Sequence, residues 1–341
     1  MELKDRIMEL TQISGISAQE NAIKNYLLDE LKKLGLCPEV DKNGNVSAKL
    51  NSKHKNAKTL LFEAHMDRIG FMVSGIDDAG RLQFTSVGGV DERILQSLEV
   101  TVEGDESYYG VVVHPEKKGE DKNPQIEDFR IEIGLTKEEV EKRIPIGAGV
   151  SIYSKTESLL GDKLSGAAMD NRAGIAVILD CVERLALRDV PYHISLLFST
   201  GEEIGLQGAY TAHIDADAAI VVDVTHGMTA DTKDEVGIFP LGCGTVICRG
   251  PNLHFLYTKQ LLALAKMKGI PYEIEVASGS SGTTAWAIQT LEQGIPCMLT
   301  SIPLRYMHSN METLSLKDVK ATADLLYYAA MGGIELVERT Y

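Results

Sequence analysis

The stretch HISLLFSTGEEIGLQGA, residues 193–209, decides the predicted fold. Its first half is an apolar run, and its second half turns at once to glycines and to two acidic residues, Glu202 and Glu203. A continuous apolar run bounded by glycine is typical of a strand that is buried on both faces. A carboxylate is costly to bury unless a cation compensates it. This stretch therefore predicts a buried strand that ends at a site for positively charged groups.

Helices and strands alternate on both sides of this stretch. Helical patterns over residues 171–187 and 253–269 are interspersed with apolar, strand-like runs over residues 58–67 and 218–225. Alternation of this kind favours an open sheet that carries helices on both faces. We therefore expect an α/β fold built on a mixed sheet that is covered by helices on both faces.

The pattern changes between residues 70 and 160, where short alternating apolar pieces are separated by Asp, Gly and Glu turns. Such pieces favour a small β-barrel or sandwich. We expect one α/β domain made from residues 1–69 and 161–341, with an inserted β-rich domain of residues 70–160. Within the insertion, EDKNPQIEDF (120–129) is polar and is predicted to be flexible.

The segment that precedes this sheet begins with a helix signal. In SAQENAIKNYLLDELKKLG (17–35), Ser17 and Glu20 have the spacing of a capping box. Ile23, Leu27 and Leu31 then share one face at helical spacing. The pattern predicts a helix that starts directly after Ser17.

Composition narrows the classes of partner. The 341 residues include 34 basic and 49 acidic side chains, a formal net charge of −15 at pH 7. Nucleic acid is not an expected partner, because phosphate binding needs a basic surface. The acidic balance suits cationic ligands such as metal ions and free amino termini, and it suits solubility alone equally well.

The sequence also predicts the compartment. The start, MELKDRIMELTQ, is charged and lacks the apolar core of a signal peptide. No apolar run approaches the roughly 18 residues that a membrane helix needs. Five scattered cysteines are typical of reduced core residues: Cys37, Cys181, Cys243, Cys248 and Cys297. We expect a cytoplasmic protein that binds no membrane.

Residue types that bind metals recur where the predicted strands end. In an open α/β sheet, ligands bind at the carboxyl ends of the strands. One acidic residue there is ordinarily a turn former or a helix cap, but five such places together indicate a shared site, and their carboxylates would repel one another without a cation. The residues are His65, Asp67, Asp170, Glu202, Glu203, Asp223 and His308, while His226 is interpreted as structural.

The donor types narrow the choice of metal. Two histidines with several carboxylates suit zinc, cobalt or manganese better than calcium or magnesium. In His65-x-Asp67 both side chains lie on one strand face, so Asp67 can orient the His65 ring. Neighbours on a strand point to opposite sides, so one of Glu202 and Glu203 would bind a metal while the other acts as general base.

Five motifs, in order and over nearly the whole chain, resemble those of the glutamyl aminopeptidase family of dinuclear metallopeptidases, which includes the tetrahedral (TET) aminopeptidases and members named cellulase M. The motifs are AHMDRIGFMV, KLSGAAMDNRAG, FSTGEEIGLQGA, VVDVTHG and IPLRYMHSNMETLSLKDV. The resemblance implies a zinc-peptidase-like α/β domain with an inserted β-rich dimerisation domain. It also implies dimers that assemble into hollow dodecamers and degrade peptides from a free N-terminus.

The resemblance further implies a role for each site residue, with Asp170 bridging two metal ions. The other ligands would form two pairs, His65 with Asp223 and Glu203 with His308. Glu202 would be the base that activates the bridging water, and Asp67 would support His65. The implied protein is an aminopeptidase with two divalent ions per subunit, zinc first and cobalt or manganese as alternatives.

Two positions depart from the family pattern. The chain reads GTTA where the family usually reads Gly-Thr-Asp-Ala, so Thr284 replaces an acidic residue near the substrate site. Arg68 stands where the family often has Glu. Neither is a ligand position, and both bear on which N-terminal residue is removed. We hypothesise that Arg68 makes the site less acidic and favours acidic N-terminal residues.

Three alternatives stay open at this point. A related dinuclear deacylase or carboxypeptidase would use the same metal chemistry. An endoglucanase needs two carboxyl groups about 5–9.5 Å apart on opposite sides of a sugar, and normally no metal. Glu202 and Glu203 are adjacent in the sequence and do not suit that arrangement. A non-enzymatic metal-binding assembly protein would need no general base.

Overall fold

A computed structural model of the protein describes residues 1–114, 124–233 and 235–336. Within these residues the α-helices are α1 (Leu3–Leu10), α2 (Asn21–Lys33), α3 (Lys137–Arg143), α4 (Met169–Leu185), α5 (Gln207–Thr211), α6 (Phe255–Lys268), α7 (Ala285–Ile288) and α8 (Leu316–Tyr328). Short 3₁₀ turns lie at Glu92–Ile94 and Ile126–Asp128, and a π-helical turn lies at Ala329–Gly333. None of the helices in these ranges has the length and apolarity to cross a membrane.

The strands fall into two groups, an open sheet and a barrel. In chain order they are β1 (Glu39–Val40), β2 (Val46–Leu50), β3 (Thr59–His65), β4 (Gly70–Ile76), β5 (Leu82–Val87), β6 (Glu99–Glu103), β7 (Ser107–Val113), β8 (Arg130–Glu132), β9 (Gly149–Ile152), β10 (Glu157–Leu159), β11 (Lys163–Gly166), β12 (His193–Ser199), β13 (Ala218–His226), β14 (Thr245–Arg249), β15 (Tyr272–Val276), β16 (Cys297–Arg305) and β17 (Glu312–Ser315).

Eleven of these strands form one large mixed sheet in the described part of the chain. Its path is β1-β2-β12-β3-β13-β16-β17-β11-β10, and β14 pairs with both β15 and β16. The central strands β12, β3, β13 and β16 run parallel, so their carboxyl ends meet at one edge. Ser199 at the end of β12 lies opposite His65 at the end of β3.

Helices cover both faces of this sheet because alternate residues of its strands are apolar on both sides. On β3, Leu60 and Phe62 pack into a core shared with α1, α2, α4, α6 and α8. Leu61 packs on the opposite face into a second core that includes α5 and α7. The predicted α/β fold, with a mixed sheet covered on both faces, is confirmed.

Between β3 and β10 along the chain, six antiparallel strands form a separate closed barrel in the order β4-β5-β8-β7-β6-β9. It has its own apolar core, in which the rings of Phe71 and Phe84 meet edge to face at 5.1 Å. The predicted small β-barrel is therefore confirmed. Strand β10 lies within the predicted insertion but pairs with β11 in the large sheet. The exact domain limits of 1–69, 70–160 and 161–341 stay a prediction. Of the segment predicted to be flexible, residues 120–123 lie outside the described residues.

The predicted capping box at the start of α2 is wrong. The helix begins at Asn21, and the Ser17 hydroxyl donates to Asp67 Oδ2 at 2.6 Å instead of capping it. The Glu20 carboxylate accepts from the backbone N–H of Ala18 at 2.9 Å and of Gly201 at 3.3 Å. Contacts with the sheet edge, which spacing along the chain does not reveal, outcompete the local cap.

Gly70 permits the close approach of two barrel strands, β4 and β9, to the loop between α1 and α2. A Cβ added there would lie 2.4 Å from Ile16 Cγ2 and 2.6 Å from the Val150 carbonyl oxygen. We expect Gly70→Ala to lower the free energy of unfolding by about 1–3 kcal/mol, the usual cost of overpacking. Urea denaturation measures it.

Gly279→Ala is the matched control, because a Cβ at Gly279 meets nothing within 4 Å. If the Gly70 and Gly279 variants unfold at the same urea concentration, the close approach at Gly70 does not constrain the fold.

Candidate metal centre

The predicted ligands and the predicted base come together at the carboxyl edge of the sheet. Six side chains line one cavity of about 260 Å³: His65, Asp170, Glu202, Glu203, Asp223 and His308. Asp67, the seventh predicted site residue, lies fully buried beside them. These side chains lie close together because strands β3, β12, β13 and β16 all end at this edge of the sheet. The roles assigned to these residues stay predictions.

Two groups of three side chains could each hold a metal ion, and Asp170 belongs to both. In the first group, His65 Nε2 lies 3.1 Å from Asp170 Oδ1 and 3.7 Å from Asp223 Oδ1. In the second, His308 Nε2 lies 3.4 Å from Asp170 Oδ2 and 3.3 Å from Glu203 Oε2. The two oxygens of Asp170 thus face different groups, which is the geometry that a bridging carboxylate requires.

Backbone carbonyls orient both histidines of these groups. Nδ1 of His65 lies 3.1 Å from the carbonyl oxygen of Asp67, and Nδ1 of His308 lies 2.9 Å from that of Gly89. A carbonyl oxygen only accepts hydrogen bonds, so each Nδ1 is the donor and each Nε2 is turned toward the carboxylates. Gly89 follows β5, so the barrel side of the chain also contributes to the site.

The Asp67 carboxylate contacts both the loop after β12 and the His65 ring. Its oxygens accept from the backbone N–H of Glu202 at 3.0 Å and of Glu203 at 3.2 Å, and they lie 3.5 Å or more from the His65 ring. Burial alone would raise the pKa of Asp67, but interactions with His65, Ser17 and the Glu202 amide lower it. Asp67 therefore stays ionised while it holds this loop.

Strand alternation does not apply to Glu202 and Glu203, contrary to the sequence argument. Both lie in the turn that follows β12, and both face the cavity. What distinguishes them is their contacts: Glu203 joins a group with His308, whereas Glu202 belongs to neither group of three.

The donor set fits divalent cations. Burial raises the pKa of Glu202 to about 8 and, together with repulsion from Asp170, that of Glu203 to about 9. Burial also raises the pKa of Asp223. Glu203 Oε1 is buried and finds no hydrogen-bond partner among the described residues. Protons or cations must therefore compensate these groups, and a metal ion would also supply the partner that Oε1 lacks.

Glu312 is a buried carboxylate that the sequence analysis missed. Its Oε2 accepts from the backbone N–H of Met169 at 2.7 Å and of Asp170 at 3.3 Å, and its Oε1 accepts from that of His308 at 2.9 Å. It thus ties together the two segments that carry Asp170 and His308. The available signal was the spacing, an acidic residue four positions after His308 at the start of the short strand β17.

The two departures from the family pattern lie behind the cavity instead of lining it. The Thr284 hydroxyl donates to the carboxylate of Glu63, which also accepts from Ser199 Oγ at 2.6 Å. Arg68 is 3% exposed, and its guanidinium donates to the Ile152 carbonyl at 3.1 Å. Arg68 therefore acts on the site through its charge, which reaches Glu312 and Glu203, and the hypothesis that it favours acidic N-terminal residues stays a prediction.

The rest of the cavity extends away from the two groups of three toward β15. Two titratable residues there, His226 and Glu275, were not predicted to face it. The remaining lining residues are Val224, Thr225, Ser281, Gly282, Thr283, Leu299, Ser301 and Met307. This end of the cavity offers space for a ligand side chain beside the candidate metal positions.

Comparison with known proteins gives this geometry a context. A curated protein of Acetivibrio thermocellus named "Putative aminopeptidase" is 35% identical over 338 residues, which cover 95% of this chain and 97% of that protein. The structure of aminopeptidase APDkam598 from the archaeon Desulfurococcus kamchatkensis superimposes with a TM-score of 0.91 at 28% identity, covering 97% of this chain and 95% of that one.

A third similar protein is the Pyrococcus horikoshii TET1 peptidase, which can assemble into a tetrahedron or a large octahedral shell. Its TM-score is 0.85 at 27% identity, covering 97% of this chain and 99% of that one. A model of the M42 glutamyl aminopeptidase family matches residues 44–325. Since this match spans most of the chain, the protein belongs to the M42 glutamyl aminopeptidase family and is a hydrolase of the aminopeptidase class.

Proposed function

We propose that this protein is a metal-dependent aminopeptidase that removes N-terminal residues from peptides, with Glu202 as general base. The observation that supports it best is Asp170, whose two carboxylate oxygens face two separate groups of metal-ligand side chains. Divalent ions bound at these groups supply Lewis acidity, which acidifies a water molecule and polarises the scissile carbonyl. Zinc is the first choice for these donors, with cobalt or manganese as alternatives.

The proposed ligand set has one shared and four separate members. Asp170 would bind both ions, His65 and Asp223 would complete one position, and Glu203 and His308 would complete the other. One imidazole and two carboxylates at each position leave room for water or substrate. The supporting facts are the close approach of these side chains and the unpartnered Glu203 Oε1.

Glu202 is the proposed base because it faces the same cavity but belongs to neither ligand group. Its carboxylate would accept a proton from the attacking water and later donate it to the leaving amine. Asp67 holds its backbone amide and so fixes the position of the loop. The many carboxylates of the cavity would also attract the free α-ammonium of a peptide, which restricts cleavage to the first residue.

We also propose self-association, first to dimers through the β-rich insertion and then to dodecamers. The likeness to the TET1 peptidase supports assembly, although the tetrahedral and octahedral shells are reported for that protein. On the barrel side of this chain, Tyr109 and Tyr153 are 58% and 43% exposed and meet edge to face at 5.9 Å. Exposed aromatic pairs of this kind are common at protein interfaces.

We propose the cytoplasm as its compartment. All five cysteines are unpaired, and three of them are buried. Burial raises the pKa of the Cys181 thiol well above its ordinary value, so this side chain packs as an inert apolar group. Unpaired, buried thiols are typical of a reducing compartment.

Metal removal tests the function directly. We expect protein stripped with a chelator to lose hydrolysis of aminoacyl-p-nitroanilides, and we expect zinc, cobalt or manganese to restore it. Nα-acetylated substrates should resist cleavage, because the cavity would no longer attract a cationic amine. The measurement is the initial rate over a panel of free and acetylated substrates.

Two results would contradict the proposal. Cleavage of acetylated substrates in preference to free ones would indicate the deacylase or carboxypeptidase alternative. Cellulose hydrolysis that survives the chelator would indicate the endoglucanase alternative.

Glu202→Gln tests the role of the base. We expect kcat to fall roughly 10²–10⁴-fold, the usual contribution of a general base, while the bound metal is retained. Kinetics and metal analysis of the same preparation measure both. Glu203→Gln is the matched comparison at the neighbouring position, and it should lose metal. Near-normal turnover by Glu202→Gln would refute the assignment.

Glu312→Gln tests whether Glu312 positions the ligands. An amide side chain has one acceptor oxygen for the three backbone N–H groups that the two carboxylate oxygens now serve. We expect zinc affinity to fall roughly 10–100-fold, as for other residues that orient metal ligands. Competition with a chromogenic chelator measures the dissociation constant.

Asp318→Asn is the control for Glu312→Gln. The buried Asp318 carboxylate also accepts hydrogen bonds from two backbone N–H groups, those of Gly242 and Gly244, and it lies away from the cavity. It should reduce stability without changing zinc affinity. Equal zinc affinities for wild type and Glu312→Gln would leave Glu312 a purely structural residue.

A further inference from the structure

We propose that Glu275 selects substrates whose N-terminal residue carries a positive charge, with lysine as the preferred residue. This inference rests on the proposed aminopeptidase function of the same site and names the substrate class. It competes with the sequence hypothesis that Arg68 favours acidic N-terminal residues, and it rests on Glu275, which lines the cavity, whereas Arg68 does not.

Glu275 lies at the end of the cavity that the catalytic groups do not use. It is half-buried on strand β15, and its Oε1 accepts from the Thr225 hydroxyl at 3.0 Å. Thr225 follows Asp223 by two residues on β13, so the two side chains share one face of that strand. The rise along a strand separates them by about 7 Å. The Glu275 carboxylate therefore lies about one side chain's length from the candidate metal ligands.

This separation matches lysine. An extended chain advances roughly 3.3–3.6 Å for every three bonds, so the five bonds from Cα to Nζ span about 6 Å. A lysine whose α-amine and carbonyl lie at the Asp223 end can bring its ammonium to Glu275. Shorter apolar side chains would leave the carboxylate without a cationic partner, with only the Thr225 hydroxyl as donor.

The charges of the lining favour a cation at this end. Among the described residues, none of those lining the cavity is a lysine or an arginine. Two divalent ions would bring four positive charges, which the carboxylates of Asp170, Asp223, Glu202 and Glu203 balance. Glu275 is then left as an extra negative charge, with the exposed His226 as the other titratable group on its side.

A substrate glutamate would meet Glu275 with a charge of the same sign. Like charges in a partly desolvated pocket repel strongly, whereas a carboxylate–ammonium hydrogen bond is among the strong ones. The same geometry that accepts lysine therefore disfavours acidic N-terminal residues.

Norleucine separates charge from length, because it has the methylene chain of lysine without the ammonium. We expect the zinc-loaded wild-type protein to cleave lysyl-p-nitroanilide with a kcat/KM roughly 10–100 times that for the norleucyl substrate, the range for hydrogen bonds to charged groups. In Glu275→Gln this preference should be lost.

Glu273→Gln is the matched control on the same strand. Glu273 lies two residues before Glu275, so both side chains face the same side of β15. Glu273 is exposed and does not line the cavity. This variant should keep the wild-type preference. Glu275→Lys should move the preference toward glutamyl substrates, and the Gln variant serves if the Lys variant does not fold.

A binding measurement gives a readout that does not depend on turnover. Calorimetry on the zinc-loaded Glu202→Gln protein should show tighter binding of L-lysine than of L-norleucine, and adding Glu275→Gln should remove the difference.

The outcomes separate this inference from the proposed function. If the wild-type protein cleaves aminoacyl substrates but treats lysyl and norleucyl alike, the inference is wrong and the aminopeptidase function stands. It is also wrong if Glu275→Gln lowers kcat/KM equally for every substrate, since Glu275 would then bind the common α-amine or support the fold. If no aminoacyl substrate is cleaved with any of the three metals, the proposed function itself fails.

Discussion

The burial of several carboxylates together at the carboxyl edge of the parallel strands is the constraint on which the rest of the site depends. Asp170, Asp223, Glu202 and Glu203 face one small cavity, and burial raises the pKa of three of them. Asp170 is the exception, because interactions with the two histidines lower its pKa despite burial. Of these four carboxylates, the one shared by both groups of candidate ligands is thus the one whose negative charge the protein itself stabilises best.

Two further carboxylates, which do not line the cavity, hold the backbone segments that carry the cavity's side chains. Asp67 accepts backbone N–H groups from the loop after β12, and Glu312 accepts them from the start of α4 and from His308. His308 has a positive φ of 63°, a backbone conformation that non-glycine residues adopt at a cost of about 1–3 kcal/mol. The hydrogen bond from its N–H to Glu312 helps to hold it there. The chain therefore uses acidic residues both to face the cavity and to orient the segments that carry the candidate ligands.

The sequence predicts the parts of this arrangement that follow from strand direction. His65, Asp223 and His308 could be grouped because parallel strands bring their carboxyl ends to one edge. Glu312 and Glu275 could not, since β17 reaches the site through antiparallel pairing and β15 through β14 alone. Ser17 was assigned to a helix cap because periodicity shows its near neighbours along the chain and not Asp67. Local signals thus predicted the elements and the strand ends, and missed contacts between distant segments.

The arginines of the site are segregated from the cavity. Arg68 and Arg172 are both buried, and burial lowers their pKa values to about 10 and about 9, so both stay charged at neutral pH. Their charges act on Glu312 and Glu203 in the case of Arg68, and on Asp67 and Glu20 in the case of Arg172. The protein thus supplies fixed cations behind the site, while the titratable side chains that line the cavity, among the described residues, are all carboxylates and imidazoles. No lysine or arginine among the described residues supplies positive charge on that face, so one electrostatic arrangement would favour both the proposed metal ions and a cationic N-terminal residue.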